Sequence, residues 1–166
     1  AIAFAGTLAL GRTFERERYA DTLRALLLAP SDRPAIYVGK LIGIVGLLAA
    51  TEIVLVPLVA LLFQAGLFSH PVLMGALLIF GTIGFASVGT LFAAMLARAR
   101  SRDVLLPILL YPVTIPVMIA GVKGTSALLD ATPQLQMAGM WILLLVCFDV
   151  VFLTLSLWTF DPLMTE

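Results

Sequence analysis

The sequence predicts an all-α polytopic membrane protein, and three observations carry that reading. The chain has 166 residues, 61% of them hydrophobic and only 12% charged, with a mean hydropathy of +1.11. Soluble domains carry about 25% charge. The apolar residues fall into four continuous runs, each long enough for the about 20 helical residues that cross a bilayer. Within those runs apolar and polar residues do not alternate, which excludes the strands of a barrel. Helices remain, because a bilayer offers no partner to unpaired backbone groups.

The elements follow in order. Residues 1–11, AIAFAGTLALG, are apolar but too short to span. No basic segment precedes them, as it would in a secretory signal. They are expected to be the end of a transmembrane helix that starts before Ala1. Residues 13–29 carry a helical pattern, with Tyr19, Leu23, Leu26 and Leu27 on one face and Glu17, Asp21 and Arg24 on another. Pro30 ends it. Four spans are expected after it, at 35–65, 72–97, 104–122 and 138–160. Ser31 or Asp32 is placed to cap the first, with Pro34 in its opening turn, where a missing N–H does no harm.

Nine of the ten Lys and Arg residues lie at positions 12–40 and 98–102. The excess of positive charge assigns those loops to the cytoplasm. Residues 66–71 and 123–137 are then outside, and the C-terminus is cytoplasmic. Trp141 and Trp158 stand near opposite ends of the last span, as interfacial anchors do. The net charge is zero, which gives no basic surface for nucleic acid. A lone cysteine, Cys147, excludes an internal disulfide and reads as a packing residue in an apolar run.

Several features mark candidate sites. Gly39 and Gly43 form a GxxxG pattern, and Gly89, Ala93 and Ala97 repeat small residues; both spacings suit close helix contacts. Pro107, Pro112 and Pro116 crowd one span, and each removes an intrahelical bond, so that span is expected to kink or break. Glu52 and Asp149 fall near the middle of two spans. An ionisable group there costs about 2.5–3.5 kcal/mol and normally faces the bundle interior. The functional reading gives the two a shared cavity or a partner surface. The alternative is a neutral carboxyl bonded to a nearby hydroxyl or carbonyl. His70 is the only histidine and sits in a short outer loop beside Pro71, so axial ligation of heme by this chain is not expected. There is no GxxxxGK[ST] phosphate loop, no metal-ligand spacing and no nucleophile–base pair. The chain reads as non-catalytic.

The 13–29 helix can lie in the headgroup layer or dock in a groove on a soluble partner. Residues 12–40 hold six basic and four acidic side chains. Mixed charge suits docking better than adhesion to anionic lipid.

At ADTLRALLLAPSDRPAIYVGK the chain resembles the segment after the second membrane helix of the heme exporter protein B (CcmB) family. Thr22, Leu23, Leu26, Leu27, Leu28, Pro30, Ile36, Tyr37, Gly39 and Lys40 match. Asp21 stands where the family has Gly, and Arg24 where it has Glu. LPILLYPVTIPVMIAG resembles the family's proline-rich fifth helix, with Pro107, Pro112, Pro116 and Ile119 matching. The resemblance implies an ABC-2-type exporter permease bundle of six helices, the N-terminal part lying outside this sequence. It implies a permease subunit of an ATP-driven transporter in heme export and c-type cytochrome biogenesis, in the bacterial inner membrane. A separate cytosolic ABC ATPase would bind ATP and receive Glu17, Tyr19, Asp21, Leu23, Arg24, Leu26, Leu27 and Pro30 as a coupling helix. Heme enters as possible cargo rather than a resident cofactor. Further implied partners are heme-handling membrane proteins, a periplasmic heme chaperone, membrane lipid and a second copy of the chain. Two alternatives stand beside it: an ABC-2 permease for a lipid, drug or polysaccharide, and a proton-coupled carrier using Glu52 and Asp149. The carrier is disfavoured because no internal repeat is visible.

Overall fold

The computed structural model describes residues 6–8, 33–64, 66, 69–96 and 102–165. Four long helices follow one another: α1 (Arg33–Phe63), α2 (Pro71–Met95), α3 (Arg102–Leu129) and α4 (Leu135–Thr165). Each is long and apolar enough to cross a membrane. The expected coupling helix at 13–29, with Glu17, Tyr19, Asp21, Leu23, Arg24, Leu26, Leu27 and Pro30, lies outside the described residues, as do Ser31 and Asp32. Residues 6–8 are helical and touch the bundle. A Cβ built on Gly6 would fall 2.5 Å from the Phe85 ring and 3.2 Å from a Leu48 methyl.

Sequence chemistry sets the helix ends. Pro34 falls in the first turn of α1 and Pro71 opens α2. Both occupy positions where the proline N–H would have no intrahelical acceptor. α1 stops at Gln64, which takes a left-handed φ of 49°, the conformation that ends many helices. Between α3 and α4 the turn is tight. Asp130 N–H donates to the Ser126 carbonyl at 3.1 Å and Gln134 N–H to the Ala127 carbonyl at 2.9 Å.

Three expectations need correction here. The third span does not end at Val122: α3 continues to Leu129, and the connecting segment shrinks from 123–137 to 130–134. Lys123 is exposed on the helix surface, where a long alkyl stem lets an ammonium reach polar surroundings without ending the helix. Nor is α3 broken. It runs as one helix through Pro107, Pro112 and Pro116, which overturns the expected break and not the expected kink. Finally, Gly39 and Gly43 make no close helix contact among the described residues. Both are exposed, and a Cβ on either would meet nothing within 4 Å.

α2 is the axis of the bundle and packs against α1, α3 and α4. Half of its membrane window is buried, against 17% for α1 and for α4. Water does not drive helices together inside a bilayer, so their approach depends on close packing of small residues. α2 supplies them: Ala86, Gly89, Ala93 and Ala94 are all buried. One apolar cluster gathers Tyr37, Ile44, Leu48, Phe85, Val88, Leu106 and Leu110. A second, toward the other end, gathers Met74, Leu77, Val117, Ala120, Leu128 and Leu145, and Phe148 packs against both. Gly124 of α3 lets Leu77 of α2 come close: a Cβ there would lie 2.5 Å from a Leu77 methyl. Cys147 is exposed on α4 rather than packed inside.

Candidate functional site

The middle of α2 carries polar chemistry on two flanks. Thr82 and Gly84 are two residues apart, about 200° around a helix of 3.6 residues per turn. They therefore face nearly opposite directions. The Thr82 hydroxyl donates to Glu52 Oε1 across the α1–α2 contact. Gly84 faces Asp149 of α4. A Cβ built on Gly84 would stand 2.6 Å from Asp149 Oδ1 and 3.3 Å from both Phe148 and Val117.

Glu52 opens onto a cleft of about 730 Å³ between α1 and α3, floored by α2. Leu48 and Glu52 form one side. Leu77, Leu78, Gly81, Thr82 and Phe85 line the floor, and Val117, Met118, Gly121, Val122, Thr125, Ser126 and Leu129 the other side. Asp130 stands at the α3 end. The cleft is thus apolar through its length, with a carboxyl–hydroxyl pair at mid-membrane and a polar patch at the end of α3. Among the described residues that line it, Met118 is the one of a kind that ligates heme iron.

Asp149 has a different setting. It is only 4% exposed, and neither carboxyl oxygen has a hydrogen-bond partner among the described residues. It is absent from the cleft wall. The expected shared cavity for Glu52 and Asp149 is therefore not what the bundle builds: α2 stands between them, with Thr82 turned to one and Gly84 to the other. Beside Asp149, the rings of Phe148 and Phe152 stack with centroids 4.4 Å apart.

The other sequence-selected residues fall elsewhere. Tyr37 is fully buried, and its hydroxyl donates to the Ser87 carbonyl at 3.2 Å. Ser87 in turn donates to the Gly84 carbonyl at 3.0 Å, which links the start of α1 to the middle of α2. Lys40 is buried one turn further along α1. Pro112 and Pro116 lie exposed on α3, and Pro107 is half-buried. His70 precedes α2 and makes no side-chain cap. Among the described residues no group of three or more His, Cys, Asp and Glu side chains is placed to hold a metal ion. Thr82 and Gly84 were not found from sequence. A threonine and a glycine in the middle of GTIGFASVGT carry no signal until the helices facing them are known.

Four membrane-length helices, three of them packed around α2, define the class, an α-helical polytopic membrane protein. Within it, the chain belongs to the CcmB family: the family described as CcmB protein matches residues 1–162. This is the heme exporter protein B family that the charged segment and the proline-rich span resemble. Its members are multi-pass inner-membrane proteins, non-catalytic permease subunits of heme-export ABC transporters in c-type cytochrome biogenesis, and they pair with an ABC ATPase. No curated protein and no solved structure matches the chain.

Proposed function

We propose that this permease subunit couples ATP hydrolysis in a separate cytosolic subunit to heme delivery, or to release of a heme-loaded periplasmic chaperone. The 13–29 segment docks in a groove of the ATPase through Tyr19, Leu23, Leu26 and Leu27, with Glu17, Asp21 and Arg24 pairing at the rim. The positive-rich loops and the C-terminus face the cytoplasm. ATP belongs to the partner, and heme is cargo rather than a bound cofactor. A second copy of the chain and heme-handling membrane proteins complete the assembly. Glu52 in its cleft is the intramembrane group that meets cargo or a neighbouring subunit. The observation that carries this reading is the family match, which covers the charged segment and the proline-rich span together.

Co-purification tests the dock. The ATPase should travel with the wild-type permease and be lost from Leu23→Asp and Leu27→Asp. An ATPase that stays bound to both variants would refute docking through this face.

A further inference from the structure

Asp149 is the least satisfied group in the described bundle. Its carboxyl is buried near the middle of α4, and both oxygens lack hydrogen-bond partners. A buried polar group without a partner calls for an explanation, such as a bound ion or proton or a functional role. Among the described residues no donor reaches it. α2 has no titratable residue in Pro71–Met95. From α3, Val117 stands beside Gly84; the titratable positions on that helix nearest to it are Tyr111 and Lys123, each six residues away. From α1, Glu52 is bonded to Thr82 on the opposite flank of α2, Tyr37 donates to the Ser87 carbonyl, and Lys40 is buried one turn beyond Tyr37. On α4 itself Cys147 points outward. An ionised carboxylate with no cation and no donor is the costliest occupant such a site could have.

We propose that Asp149 and Gly84 form a proton-binding latch in the seam between α2 and α4. While the seam is shut, the carboxyl lies against the bare Cα of Gly84 and holds a proton as the neutral acid. When the seam parts and water enters, the acid O–H breaks, the proton passes to water and the carboxylate remains, now solvated. Reclosure requires that a proton be taken back. The glycine is integral to the latch, because any side chain at position 84 occupies the space of Oδ1. The latch is independent of the ATPase dock and stands or falls separately from it.

Infrared spectroscopy of the whole chain in lipid tests this without an activity assay. The wild type at neutral pH should show a protonated-carboxyl C=O band that shifts when the protein is made with carboxyl-labelled ¹³C-aspartate. The band should vanish in Asp149→Asn and persist in Glu52→Gln. Gly84→Ala, which displaces the carboxyl, should make the band titrate with external pH. A wild type with no aspartic-acid band, a band that survives Asp149→Asn, or a band unmoved by Gly84→Ala would each overturn the proposal. Isotope labelling of the wild type keeps the proposal refutable even if a variant fails to fold, because the absence of any aspartic-acid band overturns it.

Discussion

Glu52 and Asp149 are two carboxyls in the middle of one bundle, and the single helix between them gives them opposite settings. Glu52 has a hydroxyl partner and a cleft in front of it. Among the described residues Asp149 has neither, and its carboxyl lies against Gly84. The rule that an intramembrane acid faces the bundle interior holds for Asp149 and only partly for Glu52. A carboxyl at the right depth is therefore not one kind of site. What it can do depends on whether the facing helix presents a donor and an opening, or a glycine and a wall.

The sharpest way to break this comparison is to fill the two flanks of α2. Gly84→Val should destabilise the protein by about 1–3 kcal/mol, the usual cost of overpacking, and lower its thermal midpoint in detergent. Gly81→Ala on the cleft floor, where a Cβ meets nothing within 4 Å, should leave the midpoint unchanged or raise it slightly, since alanine favours helix by about 1 kcal/mol over glycine. Equal losses at both positions would erase the distinction between seam and cleft.

A comparable effect is expected at Thr82. Thr82→Val keeps the shape and removes the donor, and leaving a part-buried carboxyl oxygen without its partner costs about 1–3 kcal/mol. Thr82→Ser should restore most of that loss, read as denaturation midpoints of the two variants side by side. In cells, Glu52→Gln should reduce cytochrome c maturation, whereas wild-type maturation would remove Glu52 from the working site. The smallest effect belongs to Tyr37→Phe. It deletes the hydroxyl that bonds the Ser87 carbonyl, and about 1 kcal/mol is at stake for that bond; a loss several times larger would show that the Tyr37 hydroxyl does more than tie α1 to α2.

The spans were legible because composition and run length report directly on membrane helices. Their faces were not. GKLIG has the spacing of a contact motif, yet Gly39 and Gly43 point away from every described helix. By contrast Gly89 and Ala93, picked by the same rule, are buried. Spacing fixes that two residues share a face, not which neighbour that face meets. Lys123 misleads in another way: a single cation reads as the membrane boundary, although GTSALL continues the helix for another turn and a half of apolar and small residues. Glu52 and Asp149 could be singled out by charge and depth alone. Their partners, Thr82 and Gly84, could not, because each is defined by a residue on a different helix.

The proposed permease is driven through residues 13–29, and one measurement tests that coupling most directly. Cells relying on a Leu23→Asp, Leu27→Asp double variant should contain the permease in the membrane at normal levels yet assemble almost no heme-bearing c-type cytochrome. Normal cytochrome assembly by that variant would contradict it.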